Sequence, residues 1–350
     1  MSCSLCGTLK PNLKRTGSGE AARQTGQRRD RRAAMCYDDR MALDHYLART
    51  YLKHWCDKDA GRPLRAYRKS DGKEFPCWPA DVCTERDGDL NQYLTKLDML
   101  GQFRRLWEPF WNQAVDGYRS GQFTGDHKFV LALGWASISA TTPTTTGIGT
   151  EMLQKELQSL LPIIARDHPP PKSIRLEDVI IEVDPDFAKA MATRVLPRLA
   201  WRFYVQPWSL LSNSTVEPFL TSDNPSAMFG QDNLGLTPAR TLPLSPDCCV
   251  STMMDFNLAV PTDFNLTDLT TRACGKTTVE AATLEQARFV NSLIVKHAGD
   301  LVFSSRADAD VAGLVAALRK YGVQLDHTAM SLEATKGVLH IAKTGIGTIR

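Results

Sequence analysis

The longest stretch without a charged side chain runs from Phe129 to Thr150, and it limits what this chain can fold into. Its first part, Phe129 to Ser139, is apolar enough to be buried and reads as helical, although periodicity alone does not separate helix from strand there. The remainder is mostly Ser, Thr, Pro and Gly. The run therefore falls short of the roughly 20 predominantly apolar residues that a membrane-crossing helix needs. No apolar segment follows the basic N-terminus, so a secretory signal is not expected either. These readings point to a soluble, cytoplasmic protein without a membrane partner.

The order of the elements narrows the fold class. Tyr46, Leu47, Tyr51, Leu52 and Trp55 fit a short helix over Asp44–Trp55, and helical spacing returns from Leu90 to Trp107 behind an Asp89/Gln92 capping pair. Further helices are expected over Glu151–Ala165 and Pro185–Leu199, with Pro162 and Pro197 shortening them. Strand signals gather later, at Trp201–Leu211, Val216–Thr221 and Cys248–Met253. Another strand, Leu301-Val302-Phe303, follows a helix that Thr283 and Gln286 open, and Asp308 begins a last helix. Ser70-Asp71-Gly72-Lys73 marks an early hairpin. The expected class is α+β, with a helix-rich N-terminal half and a mixed sheet built mainly from the C-terminal half. Thr141 to Thr150 reads as a loop, and its Thr-Gly-Ile-Gly-Thr recurs at Thr344–Thr348, too short a match to define a repeat. Pro169-Pro170-Pro171 is the stiffest connector and the internal boundary candidate.

The formal net charge of +3 over 350 residues is unevenly spread. Residues 1–34 hold eight Lys and Arg against Glu20 and Asp30, with no aromatic, Val or Ile. Such a segment cannot bury enough apolar surface to offset its ordering entropy. It is read as a disordered basic arm, or as an upstream stretch before a start at Met35 or Met41. Residues 35–322 are read as the globular domain and 323–350 as a C-terminal extension. The body's slightly negative balance does not support a nucleic-acid partner, although the arm alone would allow one.

The nine cysteines are odd in number and irregularly spaced, which argues for free thiols. Cys3 and Cys6 supply only half of a zinc site, so no metal is expected; Cys77, Cys83, Cys248 and Cys249 read as core. No phosphate-binding loop, dinucleotide-binding glycine pattern, zinc-protease helix or serine-hydrolase elbow occurs, and the sequence names no cofactor.

Two stretches rise above this background. His45-Tyr46-Leu47 leads into Tyr51, Leu52 and Trp55, and Pro218-Phe219-Leu220 delivers Thr221, Ser222, Asp223 and Asn224 to one strand tip before Pro225. An Asp ahead of Asn-Pro also makes an Asx turn, so the tip has a purely structural reading as well. Together with Pro243-Leu244-Ser245-Pro246, Phe289-Val290-Asn291 and Leu301–Ser304, these stretches resemble the family called domain of unknown function 4238, from about His45 to Ser305. The resemblance implies where a site lies but no reaction. The chain departs from that family's pattern at Ala48, where Pro is usual, and at Thr141 or Thr142, where an Arg usually precedes Thr-Pro and would be placed to clamp an anion. One reading makes His45, Asp223 and Ser222 a hydrolytic site for a phosphodiester-type substrate, with Thr221 and Asn224 orienting it. The alternative is a non-catalytic binding module in which the same residues are structural. Whether His45 and Asp223 meet at the floor of one pocket separates the two.

Overall fold

The aromatic run after His45 does not fold as one helix. Leu43–His45 is an edge strand (β1), and only Arg49–Leu52 (α1) and the 3-10 turn Lys53–Trp55 are helical. Backbone pairing decides this: His45 sits opposite Thr84, and the Tyr46 N–H goes on to the Cys83 carbonyl, which keeps the chain extended. This computed structural model describes residues 43–56, 61–171, 174–230, 239–253, 274–334 and 337–348, with side chains as far as 323. The expectations for the basic arm, for a start at Met35 or Met41 and for Cys3 and Cys6 lie outside the described residues.

Leu64–Arg68 (β2) and Glu74–Cys77 (β3) form the expected hairpin, with Gly72 at φ +74° in its turn. Thr84–Arg86 (β4) partners β1. The helix expected from Leu90 is confined to Met99–Arg105 (α2). Ahead of it, the Asn91 side chain accepts the Tyr93 N–H and donates to the Asp186 carbonyl, holding a turn where a helix would need those groups elsewhere. Trp111–Arg119 (α3) and Gly125–Thr141 (α4) follow, and α4 contains the first part of the uncharged run. It is buried along most of its length, and a side chain at Gly134 would collide with the Trp111 ring.

Thr141–Thr150 is not a loop. Thr142 accepts the Thr145 N–H as an N-cap, Pro143 takes the first helical position, and Pro143–Asp167 (α5) runs through the threonines and both glycines. Pro162 in α5 and Pro197 in Pro185–Val205 (α6) lie inside their helices, which continue because α4 and α5 pack against α6. That packing buries Leu196, Ala200, Trp201, Phe203 and Tyr204, so α6 persists where a strand was expected. Trp208–Ser212 (β5) begins only after it, and the strand expected over Val216–Thr221 reduces to Thr221–Ser222 (β6). The Pro169–Pro171 run joins two helices within the single unit Met41–Arg350.

The remaining elements are Ala227–Phe229 (β7), Ala239–Ser245 (β8), Cys248–Met253 (β9), Thr277–Ala281 (β10), Leu284–His297 (α7), Leu301–Ser304 (β11), Ala309–Leu318 (α8), Val323–Ala334 (β12) and Gly337–Thr348 (β13). Thr283 and Gln286 make the expected capping box on α7, and Asp308 caps α8. A five-stranded mixed sheet has the order β10-β5-β9-β8-β7, parallel only at β10–β5. A four-stranded antiparallel sheet has the order β3-β2-β11-β6. The class is α+β, with helices dominating the N-terminal half and the mixed sheet drawn from the C-terminal half. One core joins α1 to α4, α6 and the larger sheet, and a second lies under α7, α8 and β11. Cys77, Cys83, Cys248 and Cys249 are buried free thiols. The recurring pentapeptide is helical at Thr146–Thr150 and strand at Thr344–Thr348, where β12 and β13 pair, so it marks no structural repeat. No helix among the described residues is long and apolar enough to cross a membrane.

Candidate functional site

The polar tip of β6 is built as a knot. The Asp223 carboxylate accepts three consecutive backbone N–H groups, from Gly299 at 2.8 Å, Asp300 at 2.8 Å and Leu301 at 3.0 Å. Its own N–H donates to the Leu301 carbonyl, so the residue ties the turn between α7 and β11. Gly299 is required there, since a Cβ would crowd Thr144 and the Asp223 carboxylate. Burial pushes the Asp223 carboxyl above its ordinary range, and the three N–H donors pull it back.

The neighbours of Asp223 are equally committed. Asn224 donates to the His297 carbonyl at 2.9 Å and accepts from Thr142 at 2.8 Å and Thr145 at 3.3 Å, which joins β6 to the start of α5. Ser222 accepts the Asn224 N–H at 3.2 Å. Thr221 bonds the Tyr51 hydroxyl at 2.6 Å, and Tyr51 donates its single proton to the Pro243 carbonyl at 2.8 Å, so Thr221 is the donor to Tyr51. All four tip residues are buried.

His45 sits elsewhere, in a different chemical setting. Its ring Nε2 lies 3.3 Å from the Ala80 carbonyl, and no hydrogen bond joins it to Asp223. Arg104, itself buried, donates to the His45 carbonyl at 2.6 Å and to the Tyr46 carbonyl at 3.2 Å and pairs with Asp89, which fixes β1 from behind. The imidazole lines a cleft of about 410 Å³ with Arg49, Thr50, Lys53, Arg105 and Glu108. Burial lowers the pKa of His45, and the charges of Arg49 and Arg104 lower it further. Burial also raises the carboxyl pKa of Glu108. Arg49 and Lys53 make no ion pair among the described residues, and the Thr50 hydroxyl is shut from solvent without a partner. Asp223 instead faces Tyr46 and Cys83, whose acid forms its charge favours.

A family model for a protein of unknown function (DUF4238) matches residues 141–308. The chain resembles that family. No curated protein and no solved structure matches the chain. The matched span takes in Thr221, Ser222, Asp223 and Asn224 and begins after His45, so the resemblance falls on the knot and not on the cleft.

The structure thus brings Thr221, Ser222, Asp223 and Asn224 together and leaves His45 apart from them. Among the described residues, no group of three or more His, Cys, Asp or Glu is placed to hold a metal ion. Sequence reasoning missed Arg49, Lys53 and Glu108. Arg49 and Lys53 lie four residues apart, which puts both on one face of the short helical segment Arg49–Trp55. Glu108 comes from a separate 3-10 turn, Glu108–Phe110, and only the fold brings it to His45.

Proposed function

We propose that this chain binds a small anionic organic molecule in the cleft around His45. The observation that carries this reading is the pair of cations, Arg49 and Lys53, which make no ion pair among the described residues and line a cleft of about 410 Å³. A concave site with a few uncommitted polar groups is where a ligand gains most, because those groups lose nothing to existing partners. The test uses phenyl phosphate as probe. It is expected to move the His45 imidazole resonances of the full chain, and the Arg49→Ala/Lys53→Ala double variant is expected to lose at least tenfold in affinity. Unmoved resonances, or equal binding by the variant, would refute the reading.

A second reading, a hydrolase acting on phosphodiesters, has one observation in its favour. His45 is shifted toward its neutral form and Glu108 toward its protonated form in the same cleft, which provides a base and an acid. Asp223 and Ser222 have no part in it, because their polar atoms are occupied by the knot. Nitrophenolate release from bis(4-nitrophenyl) phosphate that disappears in His45→Ala supports catalysis. Release that persists in the variant places it elsewhere.

A further inference from the structure

At the β7–β8 edge of the larger sheet, Arg240 pairs across the strands with Met228. Its side chain is a cation with almost nothing to hold. Among the described residues, the guanidinium makes one hydrogen bond, from Nη1 to the Ser226 hydroxyl at 3.3 Å, and Nε is shut from solvent with no partner there. No carboxylate among the described residues forms an ion pair with it. Burial draws its pKa down to about 10, with no counter-charge among the described residues to restore it. A guanidinium carries five donors, so four find no acceptor among the described residues.

The surroundings hold that cation in place. Ser226 Oγ accepts from Trp135 Nε1 at 2.9 Å and from Arg240, which fills its two lone pairs, so its own proton goes to Ser139 Oγ at 2.6 Å. Ser226 is therefore a fixed acceptor behind the guanidinium. His297 lies near enough to feel the charge of Arg240 and is held neutral: its Nδ1 donates to the Leu293 carbonyl at 2.9 Å, and its Nε2 accepts the Met228 N–H at 3.3 Å. A shielded cation without a counter-ion is costly, and an apolar side chain would be the cheaper occupant unless something completes the charge.

We propose that Arg240, backed by Ser226, anchors a binding site for an oxyanion, the carboxylate or phosphate group of a small molecule. The site shares no lining residue with the His45 cleft and does not depend on the reading of that cleft. A guanidinium offers parallel donors that match two oxygens of such a group, and the weak hydration of Arg suits a partly buried position.

Thermal unfolding of the full chain in sodium phosphate and in sodium acetate, each matched in ionic strength with sodium chloride, tests this. Either anion is expected to raise the wild-type midpoint in a saturable way. A response to phosphate alone identifies a phosphoryl ligand, and a response to acetate identifies a carboxylate. In the Arg49→Ala/Lys53→Ala background, where the cations of the His45 cleft are gone, the response is expected to remain, and there Arg240→Gln is expected to abolish it and Ser226→Ala to weaken apparent affinity roughly tenfold. Should Arg240→Gln not fold, the Nε–H resonance of Arg240 in the wild type is expected to shift on addition of the active anion. No anion-specific rise in the wild type, an equal rise when Arg240→Gln is added to the Arg49→Ala/Lys53→Ala background, or an unmoved Nε–H resonance overturns the proposal.

Discussion

The knot at Asp223 and the cleft at His45 contain similar residue types and do opposite things with them. At the knot, each carboxylate, amide and hydroxyl has a partner inside the protein. In the cleft, two cations have none among the described residues. A polar group whose bonds are already made holds the structure together, and one whose bonds are unmade is available to a ligand. Density of polar residues in the sequence does not distinguish these cases, whereas partner accounting in three dimensions does.

The sharpest way to break the comparison is Asp223→Ala. Three neighbouring backbone N–H groups would lose their acceptor at once, so the expected loss is roughly 3–4 kcal/mol in urea unfolding. The pKa of His45, followed by NMR titration, is expected to stay where it is, because no hydrogen bond joins the two side chains. A fall in that pKa would join the knot and the cleft into one site.

Two histidines sharpen the same contrast through pH. His297 is buried beside Asn224, and its folded pKa is pulled down from 6.5 to about 4 by burial. The unfolded chain therefore binds this proton more readily, so stability is complete above the unfolded value and is lost as pH falls through 6.5 toward 4. The shift corresponds to about 3 kcal/mol. Protonation would also turn Nε2 from acceptor into donor against the Met228 N–H. The difference in stability between wild type and His297→Gln, measured by urea unfolding at pH 7 and pH 4, is expected to show that loss. Equal pH slopes in the two proteins would place the proton elsewhere.

Much of this architecture was legible where a local bond decides it. The Thr283/Gln286 box, the Asp308 cap and the Asp71-Gly72 hairpin depend on residues a few positions apart, and each forms as expected. The expectations that fail depend on distant partners. Thr-Gly-Ile-Gly-Thr is helix behind the Thr142 cap and strand where another strand pairs with it, so the pentapeptide itself fixes neither state. Trp201 to Val205 has strand-like composition but stays helical because α4 packs on it. His45 was expected in the first turn of a helix beside Asp223, and pairing of β1 with β4 places it on an edge strand instead. The sequence marks the Asp223 segment as a candidate site, with a structural alternative visible in its Asx-turn chemistry. Its three N–H partners at Gly299, Asp300 and Leu301 are not marked, since nothing in the local sequence links positions so far apart.

The smallest expected effect belongs to the cleft. Arg49 is exposed and has no ion pair among the described residues, so Arg49→Ala is expected to change stability by no more than about 0.5 kcal/mol. Its charge nevertheless reaches His45, where it disfavours the imidazolium. Removing it is expected to raise the pKa of His45, since one of two like charges is gone while Arg104 remains. The burial that lowers the pKa most is untouched, so the ring stays below its ordinary value. NMR titration of the His45 imidazole in wild type and Arg49→Ala measures the change, and urea unfolding of the same samples measures the stability. A large loss of stability would mean that Arg49 holds the fold in the way Asp223 does, and the contrast between an occupied knot and an open cleft would fail on the cleft side. An upward pKa shift with unchanged stability is what an uncommitted cation beside an ionisable ring requires, because its free energy is spent on the charge of its neighbour and not on any bond of its own.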